Sequence, residues 1–207
     1  MAWKAAAIAS AVAGVGVAGA FLATSVLAPS NDLRACLGAS VAGGDVGGPF
    51  TLVSETGETV TQDDVITGPT LVYFGYTFCP DVCPLDMNRN AIAMEIMEED
   101  MGTEIDALFV TIDPERDTPE YLAEFTEYIH PRLTGLTGTP EQVADAAREY
   151  RAYFRKVDSD DPDFYLMDHS TLTYLMDPEE GFVTFFRRDM TPEQMAEQVH
   201  CVVNTLA

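Results

Sequence analysis

Two cysteines and a histidine carry the most distinctive chemistry in this chain. Cys79 and Cys83 lie in Phe74-Gly-Tyr-Thr-Phe-Cys-Pro-Asp-Val-Cys-Pro84, where an apolar run meets a helical one. Three residues separate the thiols. Residues i and i+4 are surface neighbours on an α-helix, so the spacing predicts both sulfurs on one face of a first helical turn. A helix N-terminus lowers a thiol's pKa, which predicts that the pair supplies thiolate, the form that binds metal and attacks disulfides. The third group is His169, one of three histidines. It stands in Tyr165-Leu-Met-Asp-His-Ser170, directly before an apolar strand, which sets its ring at a sheet edge. His130 follows a helix and precedes Pro131, as a C-terminal cap would. His200 lies in the last helix beside Cys201, in a surface or structural role.

Two thiolates and one imidazole suit copper. Thiolates select Cu(I), imidazole accepts both Cu(I) and Cu(II), and zinc normally takes a fourth ligand. Without a fourth protein ligand the site stays open, which suits a metal that is handed on. Met87 and Met167 are soft and close in sequence, and core packing accounts for them before ligation does. Asp81, between the thiols, could orient ligands or meet a partner, although an acid there also favours a helix start. Asp113 to Asp117 reads as a self-bonded loop with Arg116 pairing locally, structural support before function.

The elements that must position these groups follow from the pattern of apolar runs and breakers. Phe50 to Val53 and Glu58 to Val60, joined through Ser54-Glu-Thr-Gly57, form a hairpin. Thr70-Leu-Val-Tyr-Phe74, between Pro69 and Gly75, is a buried central strand. The helix after the cysteines carries Leu85, Ile92 and Ile96 with Met87, Ala91 and Met94 as a broad apolar face. Ala107 to Ile112 is a second buried strand. Thr118-Pro-Glu120, Thr139-Pro-Glu-Gln142 and Thr191-Pro-Glu-Gln194 each start a helix with a capping hydroxyl, proline at the first position and acid in the first turn, and the last two complete a capping box. Tyr153 to Val157 is a strand, and Thr171 to Met176 pairs with Phe182 to Phe186 across Asp177-Pro-Glu-Glu-Gly181. Strands alternating with helices and closing on a hairpin and a helix predict an α/β fold, a mixed sheet covered on both faces.

The ends of the chain place the domain. From Ala5 to Ala28 there is no charged side chain, and about 20 apolar residues suffice for a helix to cross a bilayer. Lys4 precedes the run and Asp32 follows it, so residues 1–28 read as an anchor with its N-terminus in the cytoplasm and the rest of the chain exported. A cleaved signal peptide ending at Val26-Leu27-Ala28 is the rival. Residues 29–48 read as a linker and residues 49–207 as the functional domain. The 34 acidic against 11 basic residues give a net charge of −23, which repels nucleic acid and excludes it as a partner. Of the four cysteines, Cys36 and Cys201 stand apart from the pair. They form either a structural disulfide between the segment after the anchor and the last helix, or two free thiols.

Four segments together resemble one family: Gly48-Pro-Phe50, Gly68 through Pro84, Thr111-Ile-Asp-Pro-Glu-Arg-Asp-Thr-Pro119 and Tyr165 through Ser170. The chain is similar to the Sco/SenC family of copper-binding assembly factors for cytochrome c oxidase. The resemblance implies a thioredoxin-like fold behind one N-terminal transmembrane helix, in a bacterial inner membrane with the soluble domain in the periplasm. It also implies copper, as Cu(I) and Cu(II), on Cys79, Cys83 and His169. The implied partners are the copper-site subunit of cytochrome c oxidase and other periplasmic copper chaperones. Phe78, Cys36 and Cys201 depart from the family's common pattern without touching that ligand set.

Two functions compete. A metallochaperone, not an enzyme, would pass copper to the dinuclear copper centre of the oxidase by ligand exchange. A thiol–disulfide oxidoreductase would use Cys79 and Cys83 as a redox-active pair, one attacking a partner's disulfide and the other resolving the mixed species. His169 separates them, because an oxidoreductase of the thioredoxin type usually presents a cis-proline where this chain has Asp168-His169-Ser170. A peroxidase would want an arginine beside Cys79, and neither Arg116 nor Arg132 has an evident place there.

Overall fold

The computed structural model describes residues 31–37, 46–160 and 164–206. The expected anchor over residues 1–28 lies outside them, as does much of the stretch read as a linker. Among the described residues no helix is long and apolar enough to cross a membrane. Residues of the 29–48 stretch do form a short helix, α1 (Asn31–Leu37). Leu33 and Leu37, one turn apart, are buried, and α1 packs against the C-terminal helix α6 (Pro192–Leu206). A disulfide joins Cys36 of α1 to Cys201 of α6 with Cα atoms 5.6 Å apart. Of the two states open to these cysteines, the structure has the bridge.

Seven strands form one mixed sheet. In chain order they are β1 (Thr51–Ser54), β2 (Thr59–Thr61), β3 (Thr70–Gly75), β4 (Asp106–Thr111), β5 (Leu133–Thr137), β8 (Thr173–Asp177) and β9 (Gly181–Phe186), and they lie side by side in the order β2-β1-β5-β4-β3-β8-β9. β3, β4 and β5 are parallel, whereas β1 and β8 run antiparallel to their neighbours β5 and β3. Helices α3 (Val82–Met101), α4 (Pro119–Ile129) and α5 (Pro140–Glu149) connect successive strands, and with α6 they flank the sheet. A short α2 (Gln62–Val65) follows β2, and β6 (Phe154–Lys156) with β7 (Met167–His169) makes a separate two-stranded ribbon.

The three expected helix starts hold. Thr118 caps α4, Thr139 and Gln142 form a capping box at α5, and Thr191 and Gln194 bond reciprocally at α6. β5 was not expected from its sequence, Leu133-Thr-Gly-Leu-Thr137. Its Gly135 has no room for a side chain, since an added Cβ would lie 2.8 Å from Leu122 Cβ and 2.9 Å from Glu55 Oε2.

The buried face of α3 keeps Met87, Ala91 and Met94 of the expected apolar face but not Leu85. Leu85 is 59% exposed, while Cys83, Asp86, Met87, Asn90, Met94 and Met97 face inward with Arg89. The reason is a polar cluster inside the protein. Tyr73 Oη donates to Asp86 Oδ2 at 2.9 Å, and Arg89 donates to Asn90, to Thr173 Oγ1 and to the Arg187 carbonyl. Arg188 pairs with the other Asp86 oxygen at 3.0 Å. Buried polar groups that satisfy one another can occupy a core face that an apolar pattern assigns elsewhere.

β3 is buried along its whole length, and its last residue is pressed from three sides. A Cβ on Gly75 would stand 2.8 Å from a Tyr73 ring carbon, 2.9 Å from a Phe109 ring carbon and 3.0 Å from Cys83 Sγ. Two of these neighbours belong to buried rings that have little room to yield. Gly75→Ala is therefore expected to lower stability by about 1–3 kcal/mol, the usual range for overpacking. Urea denaturation checks this as a lower midpoint at unchanged slope.

Candidate metal centre

The site lies where β3 ends and β8 begins. β8 runs antiparallel to β3 with Tyr73 opposite Thr173, so the chain entering β8 arrives at the edge where β3 stops. That chain is β7, which carries His169. Cys79 and Cys83 follow β3 directly. The antiparallel register thus brings together residues 86 positions apart.

The sulfurs do not share a helical turn as the spacing suggests. Cys79 precedes α3, and Cys83 is its second residue. Cys79 N donates to the Tyr76 carbonyl at 3.2 Å, which turns the Cys79 side chain toward the helix start. There its Sγ accepts the Cys83 backbone N–H at 3.3 Å. Cys83 Sγ lies 3.4 Å from His169 Nε2. All three donor atoms fall within 4.8 Å of one another. Two donors at about 2.3 Å from one ion can stand up to about 4.6 Å apart, so small side-chain adjustments let them share a metal.

The imidazole is oriented by its other nitrogen. His169 Nδ1 lies 2.8 Å from the Ser170 carbonyl, which can only accept, so Nδ1 carries the proton and the Nε2 lone pair faces the sulfurs. A backbone carbonyl on the far nitrogen fixes the tautomer that a metal ligand needs. The rings of Tyr73 and Tyr76 stand edge-on to the imidazole, with centroids 6.2 and 5.9 Å away. Burial raises the pKa of both phenols, that of Tyr76 to about 12, so both stay neutral.

The two thiols titrate in opposite directions. The Cys83 thiol, donating to Cys79, and the backbone N–H groups of Cys83 and Asp81 hold the Cys79 pKa well below the ordinary thiol range, against the opposing effect of burial. Cys83 is raised, first by that same bond and then by burial; it is 0% exposed. The pair is therefore one thiolate and one thiol, where the sequence suggests two thiolates. Loading a metal onto both sulfurs releases the remaining proton.

The other sequence candidates divide. Met87 is buried in the core, and Met167 packs against it. Asp81 occupies the cap position of α3 without making a capping bond and is exposed. His130 caps α4, and His200 bonds Thr103 and Asn204. Asp113 is buried and accepts from Tyr165 Oη at 2.6 Å. Sequence reasoning missed Asp117, which is 0% exposed. It accepts Thr77 N at 3.1 Å, Thr77 Oγ1 at 2.6 Å and Thr111 Oγ1 at 2.5 Å, and so ties the cysteine loop to β4. Arg116 pairs with Asp113, as expected, yet it also lies over the Phe78 and Tyr76 rings of the cysteine loop. The motif Thr-Ile-Asp-Pro-Glu-Arg-Asp marked this loop, but nothing in it tells that Asp113 turns to Tyr165 and Asp117 to the cysteine loop.

A family model described as SCO1/SenC matches residues 39–204. The chain belongs to the SCO1/SenC family. It is 49% identical over 205 residues to protein SenC of Rhodobacter capsulatus, a match covering 98% of this chain and 92% of that protein. Among solved structures, Arabidopsis thaliana ScoI with copper bound aligns with a TM-score of 0.73 at 38% identity, over 77% of this chain and 99% of that one. Bradyrhizobium japonicum ScoI with copper bound aligns at 0.67 and 40% identity, over 74% and 97%. The fold is the thioredoxin-like one expected for the family, a mixed sheet flanked by helices. Among the described residues there is no cis peptide, and His169 occupies the approach to β8.

The asymmetry of the pair is open to test. A small alkylating reagent is expected to modify Cys79 ahead of Cys83, at a rate that stays flat from neutral pH into the mildly acidic range, because Cys79 is already ionised there. Mass mapping over a pH series checks it. A rate that climbs toward the ordinary thiol range would show that Cys79 is protonated at rest.

Proposed function

We propose that this SCO1/SenC protein is a copper metallochaperone. It binds copper through Cys79, Cys83 and His169 and delivers it to the copper-site subunit of cytochrome c oxidase during assembly. The observation that carries this reading is the aim of His169: its Nε2 lone pair is turned at the sulfurs by the Nδ1 bond to Ser170. A dithiol that only exchanged disulfides would need no third ligand. The solved relatives with copper bound support the choice of metal. Two sulfurs satisfy Cu(I), and the imidazole extends the set to Cu(II). Handing the ion on proceeds by exchange, as recipient thiolates replace Cys79 and Cys83 in turn. The protein acts as a carrier and not as an enzyme.

The uncharged run from Ala5 to Ala28 supports an anchor in a bacterial inner membrane with the domain in the periplasm, where other copper chaperones would supply the ion.

A second reading rests on the ionised Cys79 beside the Cys83 thiol. Cys79 thiolate would attack a recipient disulfide, and Cys83 would then lose its proton and displace the recipient. This leaves a Cys79–Cys83 disulfide here and a dithiol on the recipient, which gains the two electrons. Reducing the recipient's copper-binding cysteines is a step that loading requires.

Copper titration of the reduced domain tests the first reading. Wild type is expected to take up one Cu(I), and also Cu(II) with thiolate charge-transfer absorbance. His169→Ala should weaken Cu(II) by about tenfold or more while leaving thiol chemistry intact, and Cys79→Ser or Cys83→Ser should abolish binding of both states. Equal Cu(II) spectra and affinities for wild type and His169→Ala would remove His169 from the site. A reduction assay on a disulfide-bonded peptide copy of the recipient's copper-binding loop weighs the second reading.

A further inference from the structure

The cysteines and the histidine arrive on separate pieces of chain. The cysteine loop grows out of the buried β3, but His169 sits on the β6–β7 ribbon, which lies outside the main sheet. A two-stranded ribbon is marginally stable on its own. Tyr165, Met167 and His169 alternate with exposed Leu166 and Asp168, so the three share the face turned toward the protein. What holds that face in place therefore sets the distance from imidazole to sulfur.

The Tyr76 hydroxyl accepts the Met167 backbone N–H at 3.3 Å, and one side chain from a third segment touches both pieces. The Arg116 guanidinium donates Nη1–H to the Tyr165 carbonyl at 3.1 Å and lies 3.6 Å from the Tyr165 ring centroid. On its other side it lies 4.9 Å from the centroid of Phe78, the residue before Cys79, and 5.7 Å from that of Tyr76. It is anchored by Asp113, whose second oxygen accepts Tyr165 Oη at 2.6 Å. The next residue, Asp117, holds Thr77. A planar cation with several donors can stack on rings and bond a carbonyl and a carboxylate together, which an ammonium or an amide cannot reproduce.

We infer that Arg116 is a positioning residue: by clamping Tyr165 of the ribbon against Phe78 and Tyr76 of the cysteine loop, it keeps His169 within reach of copper and so sets the preference between Cu(II) and Cu(I). This rests on the copper reading above. Cu(I) is satisfied by Cys79 and Cys83, whereas Cu(II) needs the imidazole. Loosening the ribbon therefore costs Cu(II) selectively.

A double-mutant cycle tests it with wild type, Arg116→Gln, His169→Ala and the double variant, each titrated with Cu(I) and Cu(II) salts under competition. Arg116→Gln is expected to weaken Cu(II) by about tenfold, the lower end of the usual effect of groups that orient a ligand. It should also diminish the nitrogen hyperfine signal of bound Cu(II), with Cu(I) affinity within about twofold, an effect below the usual range. In the His169→Ala background the same change should do nothing further, because Arg116 acts through His169. An unchanged Cu(II) affinity in Arg116→Gln, additive losses in the double variant, or an equal loss for Cu(I) would overturn the role. Should the glutamine variant fail to fold, Arg116→Lys, which keeps a cation beside Asp113, carries the same cycle with the same criteria. Absence of copper uptake by wild type would instead sink the copper reading, and this one with it.

Discussion

Antiparallel pairing of β8 against β3 is the constraint from which the site follows. Because β8 runs opposite to β3, the residues entering β8 stand at the edge where β3 ends, and the imidazole of residue 169 meets thiols from residues 79 and 83. β4 ends on the same edge, with Gly75 opposite Thr111, so the Asp113–Asp117 loop borders the cysteines too. Ligands in open α/β sheets gather at the carboxyl ends of parallel strands. Here one antiparallel strand adds a ligand from its amino end.

At that edge the electrostatics are unequal by construction. Cys79 takes the backbone N–H of Cys83 and the thiol proton of the same residue, so it holds the negative charge; Cys83, wholly buried, holds the proton. Two thiolates side by side in a buried place would repel each other with little solvent to screen them. A metal cation removes that obstacle, which makes uptake of a soft ion and loss of the last thiol proton one coupled event.

Beneath the site, polar side chains do what apolar ones do elsewhere. Asp86, Arg89 and Asn90 turn the cysteine-bearing face of α3 inward against Tyr73 and Thr173. Arg89 loses some of its basicity to that burial, a cost offset by hydrogen bonds to Asn90, Thr173 and the Arg187 carbonyl. The same helix shows why periodicity misled in part. Of the expected apolar face, Met87, Ala91 and Met94 do turn inward, but Leu85 is exposed, because a satisfied polar network and a cysteine tied to the site take up part of the inner side.

Local signals in the chain sufficed for much of this molecule. Thr-Pro-Glu starts determine three helices because a hydroxyl, a proline and an acid each match an unpaired helix end. Buried β3 and β4 are legible as short apolar runs between breakers, and Cys79, Cys83 and His169 stand out as donor types that ordinary packing does not call for. Strand β5 was not legible, since its glycine answers to Leu122 and Glu55 from distant segments. The sequence narrowed Cys36 and Cys201 to a bridge or two free thiols, and only the structure chose the bridge; the inward turn of Asp117 and the reach of Arg116 across two loops were not legible. Each of these depends on which remote groups come within a few ångströms, and that is decided by packing the sheet and its helices together, where sequence distance no longer measures proximity.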